Sequence, residues 1–300
     1  MKGKYLALLL TIVAMTGVNA TMPCQAEQTT GGKEVQKPKM TYEEYPRIDG
    51  SLACVPLCEA LAVEMTGCTQ EQAEETMADF TNTNPCYLEL AKGNRDILLA
   101  YEPADSTKQE LENYEPLEMS PVGQDALVFV VNEDNPIESL TTEQIFDIYT
   151  GKITNWNEVG GTDMEIQAFQ RPETSGSQTM MRKLLIGDAA MAEVQKEQIA
   201  SGMDDIIEAL KRYDNSANAL GYSVYYYASA MFRQPGLKFL AVDGVVPSNE
   251  TIKSGEYPLV NDFYCVTGEH SSPKAKEIKE WLLSEEGQSF VEGCGYVPII

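Results

Sequence analysis

The sequence predicts an α/β protein built from two mostly parallel sheets, and three observations carry that expectation. Short apolar runs with the length of buried strands alternate with segments whose apolar residues recur at helical spacing. Several of those helical segments open with hydroxyl or asparagine caps, or with a proline suited to a first helical turn. No internal repeat or low-complexity array interrupts the alternation, which is the order expected when strands are joined through helices.

The 300-residue length suits two domains or one large one. Residues 1–26 read as a secretory signal, because Lys2 and Lys4 precede an apolar run that ends near Met15, and small residues follow up to Ala20 and Ala26. The run is too short for a membrane helix, and no later stretch reaches the ~18 apolar residues that one needs. The chain is therefore expected outside the cytoplasm, in the periplasm or on the outer face of the membrane. Cys24 stands where a lipid-modified cysteine would, but Thr21, Met22 and Pro23 before it fit lipid attachment poorly, so anchored and free forms both stay open. Residues 27–40 are polar, with Gly31, Gly32 and Pro38, and read as a flexible leader.

The elements follow in order. Gly50, Ser51 and Leu52 turn the chain towards Pro56, and Leu57, Ala60, Leu61 and Met65 then mark a helix. Thr81, Asn82, Thr83 and Asn84 supply caps for a second helix that Pro85 starts and Gly93 ends. Residues 96–101 read as a buried strand, and residues 126–131 as another, with a crossing between domains just before it. Thr141 and Gln144 have the spacing of a capping box, opening a helix that Gly151 ends. Trp156 is expected to plug the loop of residues 152–161. Residues 166–169 form a strand, a helix follows residue 176, and residues 189–200 and 203–213 are two further amphipathic helices. Tyr222, Tyr225, Tyr226, Tyr227 and Phe232 are expected in core and hinge packing. Strands at 239–242 and 263–266 and a last helix through Ile278, Trp281 and Leu282 complete the chain.

The turn at residues 169–179 concentrates the chemistry. Gly176 lets backbone approach a ligand, the first amides of the following helix have no intrahelical acceptor, and the helix dipole favours negative charge there. Arg171 adds a planar fork of donors that matches a tetrahedral oxyanion, and Ser175 and Ser177 add hydroxyls. The plainer alternative is that Ser175 only caps a helix and Arg171 is solvated.

Composition limits the remaining choices. A formal charge of −24 disfavours nucleic acid, which demands a basic surface. It weighs little against a buried anion seat, because surface charge is screened over about 8–10 Å at ordinary salt. A lone histidine, His270 in a polar run, argues against histidine catalysis. Cys54, Cys58, Cys68, Cys86, Cys265 and Cys294 fit buried thiols or disulfides better than a metal site, since no paired-cysteine and histidine spacing completes a ligand set. No cofactor and no metal are expected, and the protein is not expected to be an enzyme.

With these segments in order, the chain resembles the phosphate-binding proteins of bacterial phosphate ABC transporters, members of the type II periplasmic binding protein superfamily. The resemblance covers nearly all of residues 46–300. Its most specific parts are Ile145 and Phe146 through Tyr149, Thr150, Gly151, Lys152 and Ile153 with Trp156, then Arg171 with Ser175, Gly176 and Ser177, and Gly221 with Tyr222. It implies a two-lobed trap, with residues 41–123 and 228–300 as one lobe, residues 124–227 as the other, and inorganic phosphate held between them for a membrane permease. One cleft per chain suffices, so a monomer is the default expectation, and the resemblance assigns the anion to Arg171, Ser175, Gly176 and Ser177 on one side and to Ser51, Leu52 and Thr83 on the other. Leu52 departs from the threonine usual in the family and removes a side-chain donor. The family's carboxylate that accepts a hydrogen bond from protonated phosphate has no identical counterpart, so either Glu102 replaces it or the discrimination against other oxyanions is relaxed.

Two alternatives remain at this level. One is a sensor or adhesion protein of the same fold that binds another oxyanion or none. The other is a secreted hydrolase with Ser175 as nucleophile, which the missing flanking glycines of a nucleophile elbow disfavour.

Overall fold

The computed structural model describes residues 35–194, 198–200, 216–231 and 235–300, so the expected signal, Cys24, the start of the leader, the helix at 203–213 and Phe232 lie outside the described residues. The chain enters its main sheet at β1 (Ile48–Gly50), passes a 3-10 turn (Leu52–Cys54) and continues as α1 (Val55–Thr66). Pro56 sits in the first turn of α1, where its missing N–H costs nothing, and Gly67 ends the helix in the left-handed conformation. There follow α2 (Gln70–Thr76), α3 (Thr83–Ala91), β2 (Ile97–Ala100), α4 (Asp105–Leu111) and the long β3 (Glu118–Asn132). Gly50 is required beside β2, because a Cβ there would lie 1.9 Å from the Leu99 carbonyl oxygen.

The next elements are β4 (Ser139–Leu140), α5 (Thr142–Tyr149), β5 (Gln167–Ala168) and α6 (Gly176–Met181), which runs on as a π-helical stretch (Arg182–Ile186). The expected capping box opens α5, with Gln144 N–H donating to Thr141 Oγ1 at 3.1 Å and Thr141 N–H to Gln144 Oε1 at 2.9 Å. After β6 (Ala219–Val224) come β7 (Leu237–Phe239), β8 (Ala241–Val242), α7 (Asn249–Lys253), β9 (Val260–Thr267), α8 (Pro273–Leu282) and α9 (Glu285–Gly293). Among the described residues, no helix is long and apolar enough to cross a membrane.

The strands form one sheet in the order β1-β2-β9-β3-β6-β5, with β7 also paired to β3, beside a two-stranded sheet of β4 and β8. The α/β architecture is as expected, but the pairing is mixed where mostly parallel sheets were predicted. β1 and β2, β5 and β6, and β4 and β8 run parallel, whereas β9 runs antiparallel to β2 and β3, and β3 antiparallel to β6 and β7. The reason is β3 itself. Its residues Glu118 to Ala126 pair with β9, and its residues from Leu127 onward pair with β6, so one strand serves both halves of the sheet.

Two further expectations change. Residues 239–242 are two strands and not one, because the chain changes partner: Leu240 N–H still bonds β3 at Phe129 O at 2.9 Å, whereas Ala241 N–H bonds Glu138 O at 2.9 Å and pairs with β4. The helix expected over 189–200 is not formed in its described part. Gln170 and Ile199 instead make a parallel bridge, with Gln170 N–H bonded to Gln198 O at 2.8 Å, so backbone pairing overrides the amphipathic pattern. Trp156 is 1 % exposed and donates its indole N–H to Asn218 O at 3.0 Å, as the plug that was expected. Phe129, Tyr149 and Tyr222 pack together behind α6, with ring centroids 5.5–6.5 Å apart.

Candidate functional site

Arg171 stands on a stem fixed by backbone and by one tyrosine. Phe169 N–H donates to Leu220 O at 2.8 Å, which prolongs the β5 edge. Arg171 N–H then donates to the Tyr222 hydroxyl at 2.9 Å, and that hydroxyl donates to Gln178 Oε1 on α6. Burial holds Tyr222 above its ordinary titration range, so it keeps the proton it donates. One phenol thus ties the backbone of Arg171 to the helix whose N-terminus it faces.

Ser175 caps α6 from an extended conformation, its Oγ accepting Gln178 N–H at 3.1 Å. Ser177 Oγ lies 3.5 Å from Ser175 Oγ. Gly176 touches the opposite half of the molecule, since a Cβ on it would come 2.5 Å from Thr83 Oγ1 and 3.3 Å from Tyr101 Cδ2. Asn84 adds a further bridge: its Nδ2 donates to Thr174 O at 2.6 Å, while its Oδ1 accepts Ala104 N–H at 2.7 Å.

On that opposite side, Ser51 Oγ accepts Tyr101 N–H at 3.0 Å and lies 2.8 Å from Thr83 Oγ1. One hydroxyl of the pair donates to the other, and Thr83 Oγ1 also lies within donating distance of Asn82 Oδ1 at 3.4 Å, so the pair offers at most one free O–H donor. Asn82 holds the start of α3 at a backbone cost. Its φ of 155° and ψ of 176° fall in a region nearly reserved for glycine, while its Oδ1 accepts Thr83 N–H at 2.7 Å.

These pieces meet in one small cavity. Ser51, Leu52 and Thr83 line one side, and Arg171, Gly176 and Ser177 the other, which unites six of the eight residues singled out from sequence. Arg171 is 4 % exposed and is the charged side chain among the described lining residues. Ser175 acts from behind the cavity as the cap. Glu102, expected from the sequence at the anion, is not among the residues that line this cavity. Its carboxylate pairs with Lys183 at 3.0 Å and accepts from the Tyr264 hydroxyl at 3.5 Å. Sequence reasoning missed Ala53, Asn82, Tyr101 and Val224, which also line the cavity. Asn82 was visible as a cap, but nothing local marked Tyr101 as more than the end of a buried strand.

A larger open hollow of about 460 Å³ lies elsewhere, at Glu112, Tyr114, Glu269 and His270. Its carboxylates repel an anion, so size does not identify the anion seat. The six described cysteines are free thiols, four of them buried, and among the described residues no group of three His, Cys, Asp or Glu side chains is placed to hold a metal.

Comparison with known proteins gives concordant relatives. A family model described as PBP superfamily domain matches residues 67–286. The phosphate-binding protein PstS of Bacillus subtilis (strain 168) is 26 % identical over 303 residues, covering 100 % of this chain and 95 % of the relative. PstS of Borreliella burgdorferi is 28 % identical over 209 residues, or 69 % of this chain and 74 % of the relative. In fold, the chain is similar to a Clostridium perfringens crystal structure described as a phosphate ABC transporter substrate-binding protein with bound phosphate. The TM-score is 0.62 at 24 % identity, over 84 % of this chain and 98 % of that one.

Proposed function

This chain belongs to the PBP superfamily, and from that premise we propose that it is an extracytoplasmic solute-binding protein that captures inorganic phosphate and delivers it to an ABC permease. The observation that carries the reading is the convergence on one cavity of Arg171, the N-terminus of α6 at Gly176 and Ser177, and the Ser51 and Thr83 hydroxyls. A tetrahedral dianion placed there would meet a guanidinium, first-turn amides and at most one spare hydroxyl proton from the Ser51–Thr83 pair. Leu52 contributes through its backbone, and Ser175 by holding α6 in place. The PstS relatives are named for the same ligand, which supports phosphate over other oxyanions.

The donors suffice in energy. Micromolar affinity corresponds to about −8 kcal/mol, and hydrogen bonds to charged groups contribute about 1.5–3 kcal/mol each. Four or five such bonds reach that affinity after the cost of closure. In this reading residues 41–123 with 228–300 and residues 124–227 move as two lobes about the segments that cross between them. One cavity per chain suffices, so the protein acts as a monomer. Export by the N-terminal signal and presentation outside the cytoplasmic membrane complete the assignment.

Calorimetric titration of inorganic phosphate, then sulfate, into ligand-stripped protein tests this directly. Saturable one-to-one phosphate binding is expected. Silence with both anions refutes the assignment and leaves the sensor or adhesion reading of the same fold.

A further inference from the structure

We propose that Asp125 is a positioning residue for ligand capture: it bonds the two segments that cross between the halves of the sheet to Tyr101, and so holds a wall of the anion cavity in place. The proposal rests on the reading of that cavity as a phosphate site.

Asp125 is 1 % exposed and precedes the point in β3 where the strand exchanges β9 for β6. Its Oδ1 accepts Ala126 N–H at 2.8 Å and Tyr226 N–H at 3.1 Å, and its Oδ2 accepts the Tyr101 hydroxyl at 2.6 Å. Ala126 belongs to the outgoing crossing, and Tyr226 to the chain returning just beyond β6. These contacts, with the Tyr225 N–H beside them, are donors aimed at the carboxylate, and 2.6 Å falls in the range of O–H bonds to an ionised acceptor. The ionised form is the one this geometry serves.

Tyr101 is held at both ends. Its backbone N–H donates to Ser51 Oγ at 3.0 Å, its hydroxyl is fixed by Asp125, and its ring edge flanks Gly176. Without the Asp125 bond only packing holds the ring, and the wall beside Gly176 and Ser51 loses its hydrogen-bonded anchor. A second path leads from the same carboxylate. Tyr226 stacks on Tyr296 with centroids 3.6 Å apart and planes at 14°, and the Tyr296 hydroxyl donates to Ala53 O at 2.6 Å, with Ala53 also in the lining.

The titratable groups facing Asp125 are Tyr101 beyond β2, Tyr225 and Tyr226 on the returning chain, and Cys54 before α1, with Tyr296 beyond α9 against Tyr226. Burial holds each of them above its ordinary range, so none changes charge between about pH 4 and pH 8. On β9 the residue opposite is the neutral Asn261. Burial also raises Asp125, against the pull of its donors, to about 6. Above that pH the carboxylate accepts fully from Tyr101, and below it the protonated group does so poorly.

The experiment is calorimetric titration of inorganic phosphate into the wild-type protein, Asp125→Asn and Tyr101→Phe at pH 8 and at pH 4.5, with thermal melts at each pH. At pH 8 both variants are expected to bind about 10-fold more weakly while remaining folded. At pH 4.5 the ratio of Asp125→Asn to wild type is expected to fall towards one, because the wild-type carboxyl is then protonated. Changes in the protonation of phosphate itself cancel in that ratio. Wild-type affinity in both variants at pH 8, or a ratio that does not move with pH, overturns the proposal. Should Asp125→Asn not fold, Tyr101→Phe, which keeps the ring and its volume, decides alone at pH 8. A wild-type protein that binds no phosphate at either pH refutes the underlying reading and the proposal with it.

Discussion

Adding one methyl group at Gly176 should act as a wedge in the anion cavity. A Cβ there would lie 2.5 Å from Thr83 Oγ1, 3.4 Å from Thr83 Cβ and 3.3 Å from Tyr101 Cδ2. Thr83 cannot swing aside cheaply, because it is β-branched, 1 % exposed and bonded to both Ser51 and Asn82. Overpacking of this kind costs about 1–3 kcal/mol. In the proposed two-lobe reading the cost falls on the closed conformation in which α6 meets Thr83, so it appears as lost affinity of about 5- to 150-fold. Global stability should hardly change, since alanine lowers the entropy of the unfolded chain by about 0.4–1 kcal/mol relative to glycine. Phosphate calorimetry on wild type, Gly176→Ala, Thr83→Ala and the double variant closes a mutant cycle. Gly176→Ala should cost clearly less in the Thr83→Ala background, where the clashing oxygen is gone. Equal costs in both backgrounds, or wild-type affinity in Gly176→Ala alone, would refute the argument from close approach.

Other perturbations separate charge, burial and surface contributions. Arg171→Ala should weaken phosphate binding at least 10-fold, because a buried guanidinium in an anion seat contributes about 1.5–3 kcal/mol per hydrogen bond, and an unchanged dissociation constant would remove it from the site. Asp125→Asn should stabilise the protein at pH 8 while weakening its binding. A carboxyl raised from 3.8 to about 6 favours the fold below pH 3.8 and loses that contribution as pH rises through 6. At about 1.4 kcal/mol per pH unit the difference is about 3 kcal/mol, and denaturant titrations of variant against wild type at pH 4 and pH 8 should show it. Glu102→Gln should leave the phosphate-to-sulfate preference within about threefold of wild type. Its ion pair with Lys183 is part-exposed and contributes at most about 1 kcal/mol, and a collapse of that preference in calorimetry would restore Glu102 to the site.

Much of this molecule was legible because its signals are local. Capping is one such signal: Thr141 with Gln144, Ser175 before Gly176, and Pro56 in a first turn each satisfy or dispense with backbone groups within a few residues. Helix starts follow from such pairs whatever surrounds them. The turn proposed as the anion seat was legible for the same reason, since an arginine, a hydroxyl cap and a glycine at a strand-to-helix turn are useful together before any tertiary contact forms. Where the local signal competed with pairing, it lost. Residues 189–200 have an amphipathic pattern, yet the described part near Ile199 bridges to Gln170.

By itself, the sequence determined the α/β alternation, the caps, the Trp156 plug and six residues that line one cavity, because each depends on chemistry within a few positions of the chain. Only the tertiary structure decided the mixed strand directions, which follow from β3 serving two halves of one sheet. It also turned Glu102 to Lys183, brought Tyr101 into the cavity wall, and set Asp125 beneath Tyr101 and beside Tyr226, partners 24 and 101 positions away. Direction and partner choice of that kind are decided by which distant groups reach a given donor or acceptor once the core has packed, and no spacing along the chain encodes that distance.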